Sequence, residues 1–284
     1  MTARLKINLI GPGKVGQTLG RLLADQALHS IQDVFGHNPE RAAKAVAFIG
    51  DGSVVPSLAA MRPADIWLIT VPDSKIGPVA EELSTLQPAV PAMAVHCSGF
   101  FPAEEMQGLR NLGWSLVSAH PVLTFADPEI AVQHFEGTCC GLEGDEPART
   151  QVAKLFEEIG ARTFAITSDG KELYHAAAVI SSNFAVVLQA LAREAWSQAD
   201  VPDDISTELQ RSMLKAVVEN VTALGPEVAL TGPAARGDWT VVSRQQKAVS
   251  AWHTEAGRAY ESLSIMARRL KRLGSTSLPV IEES

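Results

Sequence analysis

The sequence predicts an α/β chain in which a doubly wound parallel sheet is followed by an all-α helical domain. Three observations predict it. Short β-rich runs alternate with helical stretches between Leu5 and about Phe164, the pattern of a parallel sheet covered by helices. A GxGxxG motif, Gly11-Pro12-Gly13-Lys14-Val15-Gly16, stands between the first such run and the first helical stretch. After Thr167 the strand-like runs stop, and long helical patterns follow, separated by Pro202, Gly225-Pro226 and LTGPAARGD. The boundary falls near residue 166, giving a dinucleotide-binding domain over 1–166 and a helical substrate or dimerisation domain over 167–284.

The strand-like runs are LKINLI, IQDVFG, DIWLITV, AMAVHC, WSLVSA, GTCCGL and ARTFAI. Helical stretches separate most of them: Val15 to Ala27, Pro39 to Ala47, Ile76 to Leu86, and Arg149 to Glu158. The apolar stretch from His175 to Trp196 is interrupted by Ser181, Ser182, Asn183, Gln189, Arg193 and Glu194. It reads as a buried central helix rather than a membrane span. The tail from Gly274 to Ser284 reads as loose.

Composition narrows the function classes. Of 284 residues, 46% are hydrophobic and 20% charged, as in an ordinary globular protein. The net charge is -8, and the one basic patch, Arg268, Arg269, Lys271 and Arg272, reads as a solvated helix end. An acidic chain without a basic face predicts no nucleic-acid partner, since phosphate neutralisation supplies most of that affinity; a small-molecule substrate is expected instead. Three cysteines, two of them adjacent, do not form a disulfide framework. A short apolar run before the glycine turn predicts no signal peptide, and together these suggest the cytoplasm. The seven histidines lack ligand spacing, so no metal is expected.

The motif has the context that gives it meaning, with a strand before it and a helix after it. In a Rossmann domain Gly11 permits the tight turn, Gly13 lets the backbone approach a pyrophosphate, and Gly16 lets helix and strand pack closely. The alternative is a glycine-rich turn that binds nothing. NAD-specific domains carry Asp or Glu at the end of the second strand, whereas here the chain runs Phe35-Gly36-His37-Asn38-Pro39-Glu40-Arg41. His37 and Asn38 can donate hydrogen bonds, and Arg41 can offset a phosphate charge, so NADP is favoured over NAD. A solvated helix start would look the same.

Several further motifs carry a family resemblance over nearly the whole chain: LITVPDSKI (68–76), HCSGF (96–100), SAHPVLTFADP (118–128), KELYHAAAVISSNF (171–184) and LTGPAARGD (230–238). With GPGKVG they resemble the DUF2520 family of Rossmann-like NADP oxidoreductases. That family is similar in architecture to 6-phosphogluconate, ketopantoate, pyrroline-carboxylate and prephenate dehydrogenases or reductases. The resemblance implies that the helical domain completes the active site and the homodimer, and it puts ketopantoate among the possible substrates. Hydroxyacid dehydrogenases typically place Asn one turn after the active-site Lys, and here Lys171 is followed by His175.

Ligands of open α/β sheets lie beyond the C-terminal strand ends. Val71 and Pro72 are expected to wall the nicotinamide. Ser98 is read as a substrate hydrogen-bond donor or as a turn serine. His120, in a His-Pro pair, is read as catalytic or as an extended loop residue. On the first long helix, His175 and Ser182 project about 20° apart and Asn183 about 80° from His175, enough to line one cleft. His175 or Lys171 would supply a proton, and Asn183 would orient a carbonyl; a satisfied core histidine is the alternative for His175. In LTGPAARGD, Thr231 and Arg236 are substrate-binding candidates, Arg236 through a bidentate carboxylate pair or through a structural pair with Asp238 or Glu227.

Overall fold

The computed structural model describes residues 4–26 and 29–278. The final residues, 279–284, of the tail expected to be loose lie outside the described residues. The chain divides into two compact units, Met1–Ser182 and Asn183–Ser284.

The first unit is built on one sheet of β1 (Leu5–Ile10), β2 (His29–Phe35), β3 (Ser53–Val54), β4 (Ile66–Ile69), β5 (Met93–His96), β6 (Ser115–Pro121), β7 (Cys139–Gly144) and β8 (Arg162–Ala165). Its order is β3-β2-β1-β4-β5-β6-β7-β8. The first six strands run parallel in the 3-2-1-4-5-6 order of a doubly wound dinucleotide fold. The sheet departs from the all-parallel expectation at β7, which is antiparallel to β6. The link between β6 and β7, residues 122–138, carries one short helix, α4 (Pro128–Gln133).

Both sheet faces are covered. Leu9 and Val34 pack with Leu19 and Leu23 of α1 (Lys14–Ala24), and Ile49 of α2 (Pro39–Ile49) joins this layer. On the opposite side Trp67 and Ile69 pack with Ile76, Ala80 and Leu83 of α3 (Ile76–Leu86). This two-sided burial explains why the central strands read as continuous apolar runs. Asn8 interrupts the run and is fully buried. Its amide donates to the Arg62 carbonyl at 2.7 Å, and its Oδ1 accepts from the Asp33 backbone at 3.3 Å. Helix α5 (Ala148–Glu158) makes the crossover from β7 to β8.

The sequence pattern near residue 166 marks the end of the sheet, but the compact unit extends to Ser182. Helix α6 (Lys171–Ser181) belongs to the sheet unit because Lys171 and Tyr174 bond to residues of β6 or its neighbour. The expected single helix is also broken. Ser182 is the C-cap of α6, at φ -113°, ψ -67°, before α7 (Asn183–Gln198) begins. The Ser182 hydroxyl donates back to the Ala178 carbonyl at 2.7 Å, a bond that bends helices. The projection that set Asn183 beside His175 assumed unbroken helix.

The stretch from His175 to Trp196, expected to be buried, is instead largely exposed, with Ile180 at 61% and Val186 at 70%. Lys171–Gln198 is, among the described residues, the stretch long and apolar enough by length and composition to cross a membrane. The second unit continues with α8 (Asp203–Leu224), the short helices α9 (Pro226–Ala229) and α10 (Pro233–Arg236), α11 (Trp239–Trp252) and α12 (Thr254–Leu273). The basic patch occupies the last turns of α12, where the Arg268 guanidinium lies 4.9 Å over the Trp239 ring.

Candidate active site

At the end of β1 the backbone turns at Gly11 with φ +81°. A side chain there would meet Val71 Cγ1 at 2.6 Å, so the turn requires glycine. Gly16 lies against the Thr70 hydroxyl and the Gly11 carbonyl, while a side chain on Gly13 would meet nothing nearer than 3.9 Å. The three glycines therefore divide into two that close the turn and one that leaves it open. Gly13 caps α1 without any side-chain cap, so the first-turn amides of Lys14, Val15 and Gly16 sit at an N-terminus with positive partial charge. Pro12 braces the turn by accepting from Gln17 Nε2 at 3.0 Å. This is the donor set that a pyrophosphate requires.

Beyond β2, Phe35, Gly36, His37, Pro39, Val54, Val55 and Pro56 line a cleft of about 370 Å³. Asp33, the acid within β2, is buried and committed to Arg62, accepting from its guanidinium at 2.6 Å and its backbone N–H at 2.7 Å. No carboxylate of β2 thus reaches a ribose there. Asn38 is the N-cap of α2, and its Oδ1 accepts from the Arg41 amide at 2.9 Å. Arg41 is exposed. Val71 and Pro72 follow β4 and lead into the turn Asp73–Lys75.

The polar centre of the first unit lies at the ends of β5 and β6. Their register sets His96 beside Ser118, and Ser118 and His120, two residues apart on one strand, share a face. Helix α6 meets this face with Lys171, Tyr174 and His175, whose spacing of three and four puts them on one side of the helix. Lys171 is fully buried; its ammonium donates to the Ser118 hydroxyl at 2.7 Å and to the Ser98 carbonyl at 3.1 Å. Burial pulls its pKa down to about 8, against the pull of Glu143 and Asp73. It ties two strand ends to a helix, and with no exposed surface it is placed to hold the site together rather than to meet a substrate.

Ser98 is 5% exposed, and its hydroxyl accepts from the Phe100 and Phe101 amides at 3.1 and 3.0 Å. It is the turn serine of the sequence reading, with only its proton left to offer a substrate. His96 is fully buried. It donates from Nε2 to the Pro102 carbonyl at 3.0 Å and accepts from the Ser98 amide at Nδ1. Burial lowers its pKa to about 4, so it is a neutral brace.

His120 is half-buried, with Nδ1 2.9 Å from the Tyr174 hydroxyl and its ring 5.5 Å from that of His175. Burial, then the neighbouring His175, Lys171 and His96, lower its pKa to about 4. Gly99 makes room for both imidazoles. A Cβ there would stand 2.5 Å from His175 Nδ1 and 2.7 Å from His120 Cε1. His175 Nδ1 is buried with no hydrogen-bond partner among the described residues.

Residues 1–121 match the Rossmann-like domain, and residues 138–266 match DUF2520, a domain of unknown function. Each match takes in less than half of the chain. The second match begins inside the sheet, so the DUF2520 region supplies β7, β8 and α6 to the first unit as well as the helices of the second. No curated protein matches this sequence.

Among solved structures, the chain is similar to protein TM1727 of Thermotoga maritima, at 28% identity and TM-score 0.73, over 93% of this chain and 98% of that one. A Bacteroides fragilis protein provisionally described as an NADP oxidoreductase shares the fold at 23% identity and TM-score 0.74, over 93% and 98%. So does the NADP-bound pyrroline carboxylate reductase of Plasmodium falciparum, at 12% identity and TM-score 0.59, over 95% and 100%.

The remaining predicted residues, Asn183, Thr231 and Arg236, lie in the second unit. Thr231 and Arg236 are exposed. Asp238 accepts from the Val241 amide at 3.3 Å as the N-cap of α11, which gives it a role other than pairing with Arg236. Tyr174, Ser118, Gly99 and Glu143 escaped the sequence reading as site residues. Tyr174 had one available signal, its position three residues after Lys171 and directly before His175 on a helical face.

Proposed function

We propose that this protein is an NADP-dependent oxidoreductase that reduces a small carbonyl or imine compound carrying a carboxylate, such as a 2-keto acid, with ketopantoate one such substrate. One observation carries the reading. His120, Tyr174 and His175 gather at strand ends of the same compact unit that holds the uncapped glycine-turn helix. These strand ends are where open α/β sheets bind ligands. The NADP-bound reductase with the same fold supports it.

A bound nicotinamide dinucleotide supplies the hydride. The chain's own residues bind and orient it: the amides after Gly13 hold the pyrophosphate, and Val71 and Pro72 wall the ring. His37, the free amide hydrogens of Asn38, and Arg41 favour a 2'-phosphate over a bare ribose. Reduction also requires a group that meets the charge developing on the substrate oxygen. His120 donates a hydrogen bond there, His175 supplies the proton, and Lys171 holds the strand ends. Ser98, Asn183, Thr231 and Arg236 are assigned to the substrate on their chemistry, Arg236 to its carboxylate.

The test is NADPH consumption with a panel of 2-keto acids, ketopantoate and cyclic imines, followed by variants. His175→Ala is expected to lower turnover by about two to four orders of magnitude with NADPH affinity retained. Arg236→Ala is expected chiefly to raise KM. NADPH binding with no turnover on any member of the panel would favour a non-catalytic redox sensor instead.

The reading includes a cytoplasmic homodimer formed through the helical unit. Val186, Val187, Met213, Val217, Val218 and Val221 of α7 and α8 are exposed in the single chain, more apolar surface than a monomer ordinarily leaves in water. Light scattering at micromolar concentration checks it; a monomer would remove this part of the proposal.

A further inference from the structure

We propose that Tyr174 is a positioning residue that holds His120 in its neutral Nε2–H tautomer, so that His120 acts at the strand ends as a hydrogen-bond donor and not as an imidazolium acid. The inference deepens the function proposed above and rests on it only for the role of His120 as a donor to substrate; the tautomer is argued from the geometry around the ring.

The Tyr174 hydroxyl lies 2.9 Å from His120 Nδ1, with the two rings edge to face at 89°. One proton occupies that line. It is either the phenol proton, donated to a lone pair on Nδ1, or an Nδ1 proton, donated to the phenol oxygen. Among the described residues the Tyr174 hydroxyl has no other acceptor for its proton. Only the first arrangement satisfies both groups within the protein; Tyr174 is half-buried, and an unmade bond from its hydroxyl would cost up to about 1–3 kcal/mol. Burial also pushes the Tyr174 pKa up to about 12, so the phenol keeps its proton. With Nδ1 accepting, the single proton of a neutral imidazole belongs to Nε2. That edge of the ring lies against Gly99, where a Cβ would stand 2.8 Å from Nε2.

The surroundings oppose a second proton on the ring. Lys171 faces it from α6 with a buried ammonium, His175 from the same helix, and His96 from β5. The buried carboxylate of this region, Glu143 on β7, is committed to the Ala103 amide at 2.7 Å and the Ser168 hydroxyl at 2.8 Å. No carboxylate touches the ring among the described residues. A neutral imidazole can polarise a carbonyl by hydrogen bonding, and its service as a donor does not vary with pH across the physiological range.

Nitrogen NMR of the full-length protein with ¹⁵N-labelled histidine, without substrate, tests this. The His120 signals are assigned by their loss in His120→Gln. The expected result is a protonated Nε2 and an unprotonated Nδ1, unchanged from pH 8 to pH 5. Tyr174→Phe should convert His120 to a mixture of tautomers and raise its midpoint towards the ordinary histidine range. An Nδ1–H tautomer in the wild type, or a wild-type midpoint near 6.5, would overturn the proposal, and both are read on the wild-type protein, with His120→Gln used for assignment alone. A Tyr174→Phe protein that folds and keeps the pure Nε2–H form would overturn the role of Tyr174. Failure of the NADPH panel would instead count against the proposed reaction and leave the tautomer untouched.

Discussion

Replacing Lys171 by Met tests the account of the site most directly, because the two side chains are similar in length and only one carries charge. The ammonium is held at about 8 rather than its ordinary 10.5, and each unit of difference corresponds to about 1.4 kcal/mol. The folded state therefore bears a cost of about 3 kcal/mol for keeping this group charged. Between pH 8 and 10.5 the unfolded chain binds more protons at this site than the folded chain does, so stability from this residue rises with pH over that window. Partly buried Cys97, held up to about 12, contributes the opposite slope above its ordinary value, which makes the wild-type curve alone ambiguous. The difference between wild type and Lys171→Met removes the part of that contribution that comes from burial, leaving the smaller effect of Lys171 on Cys97. Urea unfolding at intervals from pH 7 to 10.5 should show wild type gaining about 3 kcal/mol relative to the variant. Parallel curves would mean that Lys171 is not carrying a buried charge, and its role as the tie between the strand ends would fall with it.

Three further outcomes are expected. Gly13→Val should fold normally, since the space beside Gly13 is open, yet lose NADPH binding by fluorescence titration; retained affinity would remove the pyrophosphate from this turn. Arg41→Ala should reduce the preference for NADPH over NADH by about tenfold, the scale of one charge-assisted contact of about 1.4 kcal/mol, and an unchanged ratio would place the phosphate contact elsewhere. His96 and His120 are both held at about 4, so the unfolded chain binds more protons than the folded one between about pH 4 and 6.5. Stability should fall on acidification through that window, by up to about 1.4 kcal/mol per pH unit for each ring. A denaturation midpoint that stays flat from pH 6.5 to 4.5 would contradict this.

What could be read from the sequence was what local pattern encodes. The glycine turn and its flanking strand and helix stand within a dozen residues of one another, and every part of that signal survives in the fold. The sheet's central strands announced themselves as apolar runs because both their faces are covered. The two-residue β3 is too short to leave a pattern. Helix α4 had a readable start, Asp127-Pro128, in which Asp127 accepts from the Glu129 and Ile130 amides, but its six residues show no period. The break at Ser182 was hidden because apolar composition continues across it. The site's decisive contacts were not legible at all. Tyr174 meets His120 across 54 positions and Lys171 meets Ser98 across 73, and no local rule links residues so far apart. The hydroxyl of Ser98 was legible as a turn residue, and it is used as one.

The Lys171 tie also bears on how the chain assembles. Its ammonium is fully desolvated only when Ser98 and Ser118 are already side by side, which requires β5 and β6 to have paired. Contacts of such long sequence separation are costly to form early, because loop closure must be met before they reward it. Helix α6 is thus expected to dock after the sheet, as a late event on the folding route. Lys171→Met should then act on the unfolding rate far more than on the folding rate, a division that stopped-flow measurements would read directly. The group that holds the site together would be among the last to find its place.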